Sequence, residues 1–254
     1  MIWKTIGKSV IGTSHIAVDK PCEDTIAYKV VITAGGEEVL ICCVSDGAGS
    51  ARFAVEASLY CTQSVTDVLV ELAHSGVDID KAKIYEVLER LYDGLEATAA
   101  MDNEALNEYS CTLLGCFITN RYSVFFQIGD GAIIRNDEAG FYTYVWWPDN
   151  GEYQNTTSFL VDDRSLSNLK VAVIEGKVDE VAIFSDGLQM LALNVENKQV
   201  HQPFFTGLYR YLRMADDEGK LGVLNRKLGE YLYSQPINER TDDDKTLFLA
   251  TRLS

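Results

Sequence analysis

No apolar stretch of the 254-residue chain approaches the 18 residues that a membrane-crossing helix needs. The opening "MIWKTIGKSVIGTSHIA" has neither the apolar core nor the small-residue cleavage site of a secretory signal. These absences set the expectation of a soluble, cytoplasmic protein without a membrane partner. No two cysteines are spaced C-x-x-C. The six present, Cys22, Cys42, Cys43, Cys61, Cys111 and Cys116, are expected as reduced, mostly buried thiols, with the adjacent Cys42 and Cys43 on opposite faces of a strand. Histidine is scarce: His15, His74 and His201 are the whole set. The patterns GxxxxGK[ST], GxSxG and HExxH do not occur. A basic stripe is missing too, because 22 Lys and Arg face 38 Asp and Glu for a net charge of −16. Such a surface excludes a nucleic-acid backbone as the main partner. There is no repeat of 20 to 50 residues, no low-complexity segment and no dividing linker, and 47% hydrophobic residues suffice for a core. One domain over residues 1–254 is expected.

What the chain does contain is one pattern written three times. "LICCVSDGAGS" ends an apolar run at Asp46-Gly47, "SVFFQIGDGAI" ends another at Asp130-Gly131, and "EVAIFSDGLQM" a third at Asp186-Gly187. A single Asp-Gly after a strand reads as a turn, because Asp bonds its own backbone and Gly accepts positive φ. Three of them suggest carboxylates gathered at one rim of the core. Glu23-Asp24 in "KPCEDTIAY" and Asp242-Asp243-Asp244 stand just before other strands, so five acidic spots are able to converge on one edge. Hard oxygen ligands without paired His or Cys favour Mg²⁺ or Mn²⁺ over structural zinc. Gly47 would free a carbonyl to approach an ion, and Gly-Ala-Gly would leave room for a phosphate. Ordinary solubility accounts for most of the other acids.

Periodicity supplies the frame. "AYKVVITAG" and "EEVLICCVSD" flank Gly35-Gly36 as a hairpin, followed by a helix from Arg52 with Phe53, Val55, Ala57, Leu59, Tyr60, Val65, Val68, Leu69 and Leu72 on its apolar face, and another beginning after Asp80, its N-cap, with Ile84, Val87, Leu88, Leu91, Tyr92 and Leu95 on its own. A meander follows through "SCTLLGCFIT", "YSVFFQIGDG", "AIIRND" and "FYTYVWW". Then come a polar loop with a short strand at Thr157 to Val161, two strands, helices at Phe204 to Met214 and Leu221 to Tyr233, and a last strand after the Asp run. That order is not the alternation of a parallel sheet. It suits an α+β fold of two antiparallel sheets packed face to face with helices outside. Strand, "GAGS", helix also matches half of a dinucleotide fingerprint, but position 52 is Arg where the third glycine belongs. His74 at a helix end and His201 in a polar connection read as structural; His15 lies close enough in sequence to Glu23-Asp24 to reach the site.

"GTSHIAVDKPCED", "VSDGAGSA", "YSCTLLG", "IGDGAII", "FSDGLQ" and "NERTDDDKTLFLA" resemble, in order and approximate spacing, the metal-dependent protein phosphatases of the PP2C class, bacterial branch. The resemblance spans Gly12 to Ala250. It implies a four-layer α-β-β-α sandwich and hydrolysis of phosphoserine or phosphothreonine by a water held between Mn²⁺ or Mg²⁺ ions. It implies metal roles for Asp46 and Gly47 (bridging), Asp186 and Asp243 (first ion), Glu23 with Asp24 beside it (second ion), and Asp130 with Asp186 (a third, weaker ion). Asp46, Asp186 and Asp243 are then the catalytic acids. Within the Asp run, Asp243 is chosen because it stands three residues before Thr246; parity along an extended segment turns Asp242 and Asp244 away.

Two departures stand out. Animal members have a histidine after the first Asp-Gly where this chain has Ala48, which leaves His15 or water to protonate the leaving group. Their phosphate-binding arginine is also missing, and the nearest cation is Lys20, unable to bind two oxygens in a planar fork. Lys20 and His15 are therefore the expected substrate-binding pair. The expected partner is a phosphorylated protein, a Ser/Thr kinase or its target. Two further possibilities stay open at this level: a catalytically silent member of the fold that binds a signalling partner, and a phosphatase of small phosphorylated molecules. Retention of every expected acid favours activity.

Overall fold

The computed structural model describes residues 3–148, 157–162 and 165–253. In chain order the strands are β1 (Lys4–Val10), β2 (Asp24–Ile32), β3 (Glu38–Asp46), β4 (Leu113–Ile118), β5 (Tyr122–Ile128), β6 (Ala132–Asn136), β7 (Tyr142–Tyr144), β8 (Lys170–Glu175), β9 (Glu180–Phe184), β10 (Leu193–Asn194), β11 (Gln199–Val200) and β12 (Lys245–Thr251). The helices are α1 (Thr13–Ala17), α2 (Ala54–Ser75), α3 (Lys81–Asp102), α4 (Ser165–Asn168), α5 (Gln189–Ala192), α6 (Gln202–Met214), α7 (Glu218–Leu232) and α8 (Gln235–Asn238). Among the described residues no helix is long and apolar enough to cross a membrane. The backbone gathers into two compact units.

The first unit comprises Met1–Asp24, Gly131–Trp147 and Val178–Ser254. Its sheet runs β1-β12-β9-β6-β7. Every residue of β12 is buried, as a central strand reading KTLFLAT requires. β1 lies at the edge, where its two lysines discourage further pairing. That half-polar character also hid β1 from the sequence reading, which assigned no strand there. Helices α6 and α7 pack on this sheet, and Phe205, Tyr209 and Leu212 of α6 join Phe184, Leu247 and Leu249 in one core.

The second unit comprises Thr25–Asp130 and Pro148–Lys177, with sheet order β2-β3-β4-β5-β8. The hairpin of β2 and β3 turns where expected, with Gly36 at φ +79°. Asp80 caps α3 by accepting from the Lys83 N–H at 2.8 Å. Ile84, Val87, Leu88, Leu91 and Leu95 bury the expected face of α3. On α2 the periodicity was partly misread: Leu59 and Tyr60 are exposed, and Ser58, Thr62 and Thr66 are buried beside Cys61 and Val65. Small hydroxyl residues fit against a sheet because they return their hydrogen bonds to the helix, as Thr62 does to the Ser58 carbonyl. Cys42 and Cys43 are both fully buried, and all six cysteines are free thiols.

Two expectations need correction. The meander is divided, with β4 and β5 in the sheet of the second unit and β6 and β7 in that of the first. The strand expected at Thr157 to Val161 is a turn, in which the Leu160 N–H donates to the Cys111 carbonyl at 2.9 Å. Burying Leu160 and Val161 explains their apolarity without a ladder. Two antiparallel five-stranded sheets with helices on them bear out the α+β class.

Candidate active site

In the first unit the antiparallel register sets Phe184 of β9 opposite Leu247 of β12. The residues after β9 and before β12 therefore arrive at the same rim. The Ser185 N–H donates to the Thr246 carbonyl (3.2 Å), and the Thr246 N–H donates to Ser185 Oγ (3.0 Å). Asp186-Gly187 then turns tightly. A Cβ on Gly187 would stand 2.0 Å from the Asp244 carbonyl oxygen, so the glycine lets the turn lie on the Asp243-Asp244 backbone. Here Asp-Gly is a packing requirement and no hairpin.

Asp24, the first residue of β2, is 3% exposed. Its Oδ2 accepts from Ser185 Oγ at 2.6 Å, and its buried Oδ1 has no hydrogen-bond partner among the described residues. Burial is the main force raising its pKa, to about 7; Asp244 and Asp186 add to it against the hydrogen bonds from Ser185 and Thr246. Asp243 stands at the surface, yet desolvation by its surroundings also raises its pKa. Glu23 is 5% exposed, with Oε1 at 3.2 Å from Lys20 Nζ and Oε2 at 3.8 Å from His15 Nε2. The structure thus brings Glu23, Asp24, Asp186, Asp243, Lys20 and His15 into one neighbourhood of the first unit.

Two residues here escaped the sequence reading. Asp244, set aside by strand parity, is 2% exposed. It accepts the N–H of Gly12 and of Glu23, each at 2.6 Å, and faces His15 Nδ1 at 3.0 Å. It thereby fastens the Gly12 and Glu23 backbones to the start of β12. The fully buried Lys245 donates to the Asp243 carbonyl (3.0 Å) and to Asn238 Oδ1 (3.1 Å), and burial lowers its pKa. A lysine at the head of an apolar strand was the available signal, since a cation is rarely buried unless acids surround it.

The second unit carries Asp46, Gly47 and Asp130. Asp46 ends β3, its N–H donating to Thr112 Oγ1 (3.0 Å) and its carbonyl accepting from the Thr112 N–H (2.8 Å). Gly47 forms an isolated bridge with Cys111, and its Cβ position lies 2.5 Å from the Ala54 carbonyl oxygen. Close approach of α2 therefore demands this glycine, whatever its own carbonyl does. Asp130 follows β5, with Oδ2 accepting from Thr157 Oγ1 at 2.5 Å. It lines a polar pocket of about 320 Å³ together with Gln127, Thr157, Ser158 and Lys170. Thr112, at the start of β4, contacts the Asp46 backbone and packs where a Gly129 side chain would be, and it too was missed.

An all-oxygen set of acids, one buried Asp oxygen without a partner, and carboxyl pKa values raised chiefly by burial fit a hard divalent cation, which would favour the ionised forms. Among the described residues no three His, Cys, Asp or Glu side chains form a ready cage. Such an ion would take much of its shell from water, as Mg²⁺ commonly does.

A family model described as Protein phosphatase 2C matches residues 11–233. Serine/threonine-protein phosphatase 3 of Escherichia coli (strain K12) is 32% identical over 251 residues, covering 98% of each chain. Among solved structures, the catalytic domain of the serine threonine protein phosphatase PstP in complex with two manganese ions superposes with a TM-score of 0.61 at 16% identity, over 98% of this chain and 97% of that one. RsbX in complex with magnesium superposes at 0.54 and 18% identity, over 98% and 94%.

Proposed function

The chain belongs to the protein phosphatase 2C family, and on that footing we propose that it hydrolyses phosphoserine and phosphothreonine in proteins with the help of Mn²⁺ or Mg²⁺. The observation that carries the metal dependence is Asp24: a buried carboxyl crowded by Asp186 and Asp244, with one oxygen unpartnered. The manganese and magnesium complexes of PstP and RsbX support the same choice of ions. When bound, two such ions supply the positive charge that lowers the pKa of an attacking water and neutralises the phosphate.

The residues divide the remaining work. Asp46 and the Gly47 carbonyl, Asp186 and Asp243 would hold the ions, with Glu23 and Asp24 supporting the second and Asp130 a weaker third. Lys20, paired with Glu23 at 3.2 Å, would offer the cation that meets the phosphate. His15 faces Asp244 and the Pro21 carbonyl through Nδ1, so any proton it delivers to the leaving oxygen leaves from Nε2. A bacterial Ser/Thr kinase, or a target of one, is the proposed source of substrate.

Hydrolysis of an aryl phosphate and of a phosphothreonine peptide, with Mn²⁺, with Mg²⁺ and with chelator, tests this reading. Metal-dependent turnover lost in Asp46→Asn is the expected result. No turnover by a folded, metal-binding parent would replace it with a phosphate-independent binding role.

A further inference from the structure

Helix α6 carries apolar residues beyond the face that its core buries completely. Phe205, Tyr209 and Leu212 fill the core. One position earlier, Phe204, Leu208 and Tyr211 form a second stripe, with Tyr211 62% exposed. Phe204 and Leu208 touch the margin of that core while Tyr211 projects past it, so the stripe runs from the core out to solvent. The stripe lines a groove of about 520 Å³ whose other walls include Ile6 of β1 and Leu224 and Lys227 of α7. Its length from Pro203 to Tyr211 is about 12 Å at the helical rise of ~1.5 Å per residue. Two turns of a partner helix fit that span.

The three elements that form it are richer in basic residues than the chain as a whole. β1, α6 and α7 hold seven of the chain's 22 Lys and Arg but two of its 38 acids, Glu218 and Glu230. Arg213 is engaged with Glu180, Lys220 with Asp216 and Asp217 of the connection between the helices, Arg226 with Glu230, and Lys4 donates to the Arg213 carbonyl. Lys227 lines the groove itself, and Lys8, two residues from Ile6 and so on the same strand face, lies against Gly229 of α7. A basic rim around an apolar floor, on a chain of net charge −16, selects for acid flanking apolar anchors.

We propose that the groove between α6 and α7 docks an acidic, amphipathic segment of a partner protein, its apolar side chains at helical spacing seated on Phe204, Leu208 and Leu224 and its carboxylates facing Lys8 and Lys227. Charge argues against two other occupants. Two copies meeting groove to groove would oppose like charges. An anionic lipid surface would repel the strongly acidic remainder of the chain. Ile6 pairs with Leu249, five residues along the chain from Asp244, about 17 Å at ~3.3 Å per residue. Docking therefore leaves the carboxylates uncovered.

The probe is a fluorescein-labelled peptide with two leucines and a tryptophan at helical spacing among glutamates, titrated with the full chain. Saturable binding that weakens as salt rises is expected, and a lysine-for-glutamate version of the peptide should not bind. Gly207→Phe fills the groove from within: nothing lies within 4 Å of its Cβ position, so the fold should hold. That variant should lose peptide binding while keeping its melting temperature and its aryl-phosphate turnover. Lys8→Glu with Lys227→Glu should weaken binding at least about tenfold. Equal binding of the acidic peptide by Gly207→Phe would overturn the proposal. So would concentration-dependent dimerisation abolished by Gly207→Phe, or binding to phosphatidylserine vesicles with none to the peptide.

Discussion

The acids of the two units are secured by different means. In the first, Asp24 and Asp244 are buried, hold backbone N–H groups and a serine hydroxyl, and press on one another. In the second, Asp46 and Asp130 are half-exposed and tied through hydroxyls, Thr112 to the Asp46 backbone and Thr157 to the Asp130 carboxylate. The first arrangement orders its acids at an electrostatic cost that a cation would relieve; the second orders them through neutral hydroxyl groups.

The largest effect should come from removing charge at the acids assigned to the ions. Asp46→Asn and Asp186→Asn should each lower kcat by at least about a thousandfold with melting temperatures near the parent's, as lost preorganised charge does elsewhere. A small loss for either would remove that residue from the set assigned to the ions. Next comes Asp244→Ala, which strands the Gly12 and Glu23 N–H groups. It should cost roughly 2–4 kcal/mol in urea unfolding, and a loss under about 1 kcal/mol would show that water replaces it.

Asp24 separates the units by pH. Its folded pKa of about 7 exceeds the unfolded value of ~3.9, so the folded state keeps a proton that the unfolded state has released. In chelator, stability should therefore fall as pH rises from about 4 to 7, by on the order of 4 kcal/mol. Asp24→Asn should flatten that slope, and Mn²⁺ should flatten it in the parent. An unchanged slope in the variant would mean the buried carboxyl is not the group responsible. Thr112→Val, in the second unit, should cost only about 1 kcal/mol, with Thr112→Ser restoring it. Smallest of all, Asp130→Asn should leave turnover within about tenfold of the parent at saturating Mn²⁺, its effect confined to metal affinity. Equal and complete metal loss in Asp130→Asn and Asp46→Asn would contradict a weaker third site.

Much of this was legible from residue order. Apolar runs ending in Asp-Gly located β3, β5 and β9, because a buried strand must finish at turn chemistry. The Asp80 cap and the face of α3 followed from period alone. β1 was not legible, since an edge strand with two lysines carries no apolar alternation. Asp244 was misjudged because parity tells which side of a strand a residue takes but not that a loop's N–H groups await it there. The division of the supposed meander between two sheets was equally invisible: Gly129 to Gly131 look like any short turn until pairing is known.

The sequence by itself determined the inventory: which strands exist, where acids end them, and which family pattern those acids follow, because periodicity and turn chemistry act over a few neighbours. Tertiary structure alone decided what each acid costs and which residues fasten it. Burial, register and the approach of Gly187 to Asp244 are set by segments far apart in the chain, Gly12 and Asp244 among them, and no local pattern encodes the desolvation that pushes the Asp24 carboxyl up to about 7.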